Sequence, residues 1–196
     1  MPDAARIPEW VNSAPLGAAR WKLVCITQRG VGMTLAAVAY WVAMAAVSAF
    51  AGLDAGALAV FFVIGGALVY PAGYLLNRAL GGDLLARGSE FRGMVAAITA
   101  GQLLGWPTLV ALLLMEVRLV AFALAAMLGA HFLPYGWLYR ASAYYVLGVA
   151  SVGIGAALQA LAPMHANTLV PLAMAALYLG LGVWVWRQNQ REGAAC

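Results

Sequence analysis

The chain has 196 residues, 65% of them hydrophobic and 9% charged, with a mean hydropathy of +0.88. A soluble domain carries roughly 25% charged residues, so a water-facing globule is excluded; uncharged runs here reach the roughly 20 residues that cross a bilayer. The net charge of +4 does not signal a nucleic-acid partner, because the eleven Lys and Arg are dispersed at segment ends instead of gathered on one basic face.

In chain order, residues 1–30 mix Arg6, Arg20, Lys22 and Arg29 with Trp10, Trp21, Pro8 and Pro15. They read as a cytoplasmic tail, with 18–26 either a short helix on the membrane surface or disordered. The first apolar run begins near Val31, later than a cleaved signal would, and reads as an uncleaved first span. Spans are predicted at 31–52, 55–76, 94–114, 119–139, 142–162 and 168–186, one six-helix transmembrane domain over 31–186, followed by a cytoplasmic tail at 187–196. A turn at Gly52–Leu53–Asp54 separates the first two, and the polar stretch 77–93 is the one substantial internal loop. Residues 94–139 are interrupted only by Met115–Glu116–Val117–Arg118. A single helix of that length would run to roughly 69 Å, about twice the core thickness, so a hairpin must turn at Glu116–Arg118. The predicted fold is all-α: a polytopic bundle of six transmembrane helices, arranged as three repeated helical hairpins.

Orientation follows from the Lys and Arg bias. With the N-terminus inside, ten of the eleven fall on the inner side and only Arg118 falls outside. The expected location is the bacterial inner (cytoplasmic) membrane with both termini cytoplasmic. Tyr70, Tyr74, Trp137, Tyr139, Tyr144, Tyr145, Trp184 and Trp186 gather near the inner interface, the depth amphipathic rings prefer. An internal echo, G-A-x-x-x-P-x-G-[YW]-L, relates Gly66–Leu75 to Gly129–Leu138 and makes the second and fourth spans candidate repeat equivalents.

Polar groups at bilayer depth are costly, and an ionisable one is a functional candidate by default. His131 lies nine residues before Arg140, roughly 13 Å inside the inner boundary on a straight helix. Gln102 sits near the middle of the third span and is its expected hydrogen-bond partner. The functional reading is a ligand-contacting or proton-relay histidine; the commoner alternative is a polar clasp between neighbouring helices. Pro71 and Pro134, with Gly73 and Gly136, are expected to kink or end two spans, and Pro107 beside Trp106 to kink a third. Glu116 and Arg118 occupy the outer turn, either recognising a charged ligand or simply capping two helices. Gly101–Gly105 forms a GxxxG, and Ser151–Gly155 repeats the small-xxx-small spacing that allows close helix approach.

The chain has no P-loop, HExxH, GxSxG or CxxC, and no paired intramembrane carboxylates. Cys25 and Cys196 lack a metal-ligand or redox context, so no disulfide, metal or cofactor is expected. An enzyme is the least supported class, since His131 as a base has no evident second catalytic group.

The run Gly129-Ala130-His131-Phe132-Leu133-Pro134-Tyr135-Gly136-Trp137-Leu138-Tyr139, followed by Ala143-Tyr144-Tyr145, resembles a G-A-H-x-L-P-[YF]-x-W-L-Y stretch found in a group of small bacterial integral membrane proteins of unknown function. The likeness covers mainly the fourth and fifth spans. It implies no substrate or mechanism, but it directs attention to His131, Pro134 and Trp137. The leading expectation is a small transporter or permease-like protein binding a small-molecule ligand near His131, Gln102, Tyr135, Trp106, Pro134 and Trp137. The alternative is a non-catalytic accessory or assembly subunit of a membrane complex. The expected partners are the lipid bilayer, that ligand, and a second copy or another membrane protein.

Overall fold

The structure, a computed structural model, describes residues 15–193. The parts of the predicted tails at 1–14 and 194–196 lie outside the described residues. Among the described residues the chain is helical without strands. Six stretches are long and apolar enough to cross a membrane: 15–50, 55–79, 92–115, 117–138, 142–161 and 166–192. The protein is therefore an all-α, multi-pass membrane bundle.

Its helices are α1 (Pro15–Thr27), α2 (Val31–Phe50), α3 (Ala55–Ala79), α4 (Arg92–Leu103), α5 (Trp106–Met115), α6 (Val120–Ala130), α7 (Leu133–Leu138), α8 (Ser142–Leu161) and α9 (Ala166–Glu192). The third span is α4 with α5, and the fourth is α6 with α7. Asp54 caps α3 by accepting a hydrogen bond from the Ala57 amide at 2.9 Å, as a turn-forming aspartate before a helix should. The predicted hairpin turn holds: α5 ends at Met115, and a single 3-10 turn over Val117–Leu119 leads into α6.

The body of the bundle is α2 packed on α3 and α9, and α6 packed on α8 and α9. Small residues set these crossings. A Cβ on Gly32 would overlap the backbone of Asn77, and one on Gly129 would overlap Ser151, so α2 meets α3, and α6 meets α8, nearly backbone to backbone. The third span is different. Only 6% of its apolar window is buried inside the bundle, against 28–44% for the other five, and α4 makes no extensive contact with another helix. Of the three predicted hairpins, the first (α2–α3) and last (α8–α9) are well-packed pairs, while the middle one joins mainly where α5 meets α6.

The two prolines of the internal echo behave differently. Pro71 lies inside the unbroken α3, whereas the fourth span breaks at His131–Phe132 and Pro134 opens the short α7. A proline suits the first turn of a helix, where its missing N–H has no partner to lose. Pro107 likewise sits in the first turn of α5, after the third span breaks at Leu104–Gly105.

The junction of α1 and α2 carries the densest polar network. Gln28, Arg29 and Gly30 all have left-handed φ, at 49°, 52° and 66°, a conformation costing an L-residue roughly 1–2 kcal/mol. Side chains from three other helices satisfy the backbone groups this break exposes. Asn77 of α3 donates to the Thr27 carbonyl (3.1 Å) and accepts from the Gly32 amide (3.0 Å). Asn189 of α9 donates to the Gln28 carbonyl at 2.8 Å, and the Tyr144 hydroxyl of α8 donates to that of Arg29. The Arg29 side chain is fully buried; it donates to the Tyr139 carbonyl at 3.1 Å, to Asn189 Oδ1 at 2.6 Å, and to the Glu192 carboxylate as an ion pair. One break thus ties α1, α2, α3, α7, α8 and α9 together at the charged end of the bundle.

Beyond the break, α1 crosses that end. The Asp83 amide donates to the Ile26 carbonyl at 2.7 Å, Lys22 pairs with Glu90 at 2.8 Å, and Arg20 stacks on Trp137 with its guanidinium 4.5 Å from the ring. The hydrogen bond from Lys22 holds the Glu90 carboxyl below the usual carboxylate range. Of the two sequence readings for 18–26, the helical one is therefore the observed one. Two other expectations need correcting. Tyr139 and Tyr144 do not present their rings to lipid but are buried between helices, the Tyr144 hydroxyl donating to the Arg29 carbonyl and the Tyr139 carbonyl accepting from the Arg29 side chain. Cys25 is disulfide-bonded, a pairing that spacing along the chain does not reveal.

Candidate functional site

Because α4 and α5 stand off the body, crevices open on both of their flanks. On the α3 side a cavity of about 390 Å³ is lined by Gly66, Ala67, Tyr70, Thr99, Gln102 and Trp106, among others. On the other flank, about 360 Å³ lies between α4 and the α6–α7 break, lined by Gln102, Met127, His131 and Pro134. Gln102 is common to both. Towards the charged end the two converge on a narrow recess of about 30 Å³, walled by Tyr70, Thr99, His131, Tyr135, Tyr139 and Arg29.

Local sequence explains why polar groups gather here. The break at His131–Phe132 releases the fourth span from a straight course, and Pro134 restarts it one turn later. His131 and Tyr135 are then successive rungs of an aromatic ladder. Their rings lie 5.3 Å apart, Tyr135 stacks on Tyr139 at 5.3 Å, and Tyr139 meets Tyr144 at 6.0 Å. The ladder runs from the crevice to the Arg29 carbonyl that Tyr144 caps. Across the recess, Thr99 Oγ1 lies 3.4 Å from the Tyr135 hydroxyl and donates to the Val95 carbonyl at 3.0 Å. Tyr70 projects from α3 beside them and is 39% exposed.

Five of the six predicted ligand-binding residues, His131, Gln102, Tyr135, Trp106 and Pro134, therefore line three spaces that share walls. The expected hydrogen bond between Gln102 and His131 is not formed among the described residues; the two face each other across the open crevice instead of clasping it, because α4 does not close on α7. Trp137 lies elsewhere. It points away from the ladder, sandwiched between the Arg20 guanidinium and the edge of Phe91. Glu116 and Arg118 are exposed at the opposite end of the bundle, remote from the recess.

Sequence reasoning missed Thr99, Tyr70 and Arg29. Thr99 lies three residues before Gln102, on the same face of α4, a signal that was available. Tyr70 reads as an interfacial aromatic and Arg29 as one more inner-side charge; only the fold turns them towards the site.

Chemically, the lining combines hydroxyls, an amide and an imidazole, all able to donate or accept hydrogen bonds, at one end of an apolar slot. The arrangement suits binding and orienting a ligand. Among the described residues, no carboxylate lines these three spaces, and no nucleophile with an adjacent base is assembled in them.

No curated protein and no solved structure matches the chain. A family model does match, over residues 16–188 and hence over the whole bundle just described. The chain belongs to that family, a family of unknown function designated DUF7010.

Proposed function

We propose that this protein is a small transporter or permease-like membrane protein that binds a ligand in the crevice beneath its third span. The observation that carries this reading is the combination of a span barely buried in the bundle with polar side chains from α3, α4 and α7 gathered under it. The third span breaks at Leu104–Gly105, and on this reading α4 would move about that break. We place the protein in the cytoplasmic membrane with both termini inside, on the ten-to-one division of Lys and Arg.

The test is native mass spectrometry of the full chain in mild detergent. The wild type is expected to retain a bound small molecule. His131→Ala is expected to weaken retention, and Ala67→Phe, which adds a ring at an exposed position inside the slot, to abolish it. A wild type that is empty, or that carries only a stoichiometric protein partner, would favour the accessory-subunit reading instead.

A further inference from the structure

We infer that the ligand of this crevice is a single-chain amphipath with an uncharged hydroxyl or carbonyl head, which enters sideways from the membrane. The inference rests on the ligand-binding reading above and adds the chemistry of the ligand to it.

The charge on the walls is the first argument. Among the described residues, Arg29 is the one guanidinium lining these spaces, and its hydrogen bonds are already directed to Tyr139, Asn189 and Glu192. No Lys and no carboxylate among the described residues lines the three spaces. A phosphate or carboxylate head would arrive without a free cation, and an ammonium head without an anion; burying either unpaired is costly. A hydroxyl or carbonyl instead finds Thr99, Tyr135, Tyr70, Gln102 and His131, each offering a donor or acceptor.

Shape gives the second argument. Away from the recess the slot is apolar, walled by Gly66, Ala67, Leu103, Trp106 and Leu128. Its volume of about 390 Å³ lies near the lower end of the roughly 300–1,000 Å³ typical of ligand sites, which suits one hydrocarbon chain better than two. The third span is the least buried of the six, and on this reading the slot beneath it opens sideways to the bilayer. A chain already dissolved in the bilayer reaches it without crossing water, whereas a water-soluble solute would have to be stripped of its hydration to occupy apolar walls.

The experiment uses the full chain in phosphatidylcholine vesicles with dibromo-octadecanol as the probe. Bromine quenches tryptophan at close range, and the difference between wild type and Trp106→Phe isolates the signal of Trp106. Saturable quenching of Trp106 is expected, abolished in Ala67→Phe and weakened about tenfold in the double variant Thr99→Ala, Tyr135→Phe. Dibromostearate at pH 8 and a dibrominated phosphatidylcholine are expected to give only the unsaturable background. Equal or tighter binding of either charged lipid would overturn the inference. If native mass spectrometry shows instead that Ala67→Phe expels a water-soluble molecule, the crevice remains a ligand site and the lipid chemistry is wrong. If Ala67→Phe alters binding of nothing, both readings fall together.

Discussion

Arg29→Ala is expected to lower the stability of the folded bundle by about 3 kcal/mol, combining the loss of a buried ion pair with several orphaned hydrogen-bonding groups. The substitution leaves the Tyr139 carbonyl and Asn189 Oδ1 without their donor and removes the counter-charge of Glu192. It also loosens a backbone held left-handed at two non-glycine residues, Gln28 and Arg29. Arg29→Lys should recover only part of the loss, because an ammonium lacks the planar fork that reaches three partners at once. Glu192→Gln should cost less, about 1 kcal/mol, since Glu192 is 24% exposed and an amide oxygen can still accept from Arg29. Denaturant titration in detergent micelles measures the series. An Arg29→Ala variant as stable as wild type would mean that the α1–α2 break is held by something other than this network.

The second large effect concerns glycines that look alike in the sequence. In Gly32→Ala the new methyl group would collide with the backbone nitrogen and Cα of Asn77. Backbone cannot rotate away as a side chain does, so α2 and α3 must separate, at a cost of about 3 kcal/mol, the upper end for overpacking. Asn77 would also lose its reach to both the Thr27 carbonyl and the Gly32 amide. Gly101→Ala, within the GxxxG, is the contrast. A Cβ there meets nothing within 4 Å, and the change should be neutral or raise stability by about 0.5–1 kcal/mol through helix propensity. Paired melts of the two variants check the claim; equal effects would contradict the packing described for α2 and α3.

That contrast also shows what a single sequence reveals here. That the chain folds as six apolar helices was legible, because apolar length is a one-dimensional property that a bilayer reads directly. The small-xxx-small spacing at Ser151–Gly155 does mark a close-approach face, with Ser151 against Gly129 and Gly155 beside Phe122. Gly101–Gly105 was less informative, since only Gly105 meets a neighbour, the side chain of Met127. Of the candidate site residues, the cost of polar groups at depth points to His131 and Gln102, and kinks and aromatics at similar depth point to Trp106, Pro134 and Tyr135. Trp137 shares that motif but faces Arg20 across the charged end, a contact requiring α1 to fold back over the bundle. Arg29 was the largest miss. Its position just before an apolar run looks like an ordinary boundary charge, and nothing local shows that Asn189 and Glu192, some 160 residues later, converge on it.

The gap beneath the third span is the feature on which the functional account depends. Its most direct test is an electron cryomicroscopy map of the protein in lipid nanodiscs, with a rigid antibody fragment bound to supply particle mass. The account predicts elongated density lying between Ala67 and Trp106, with its polar end against Thr99 and Tyr135. A map in which α4 and α5 close onto α3 and α6, leaving no space between them, would contradict it.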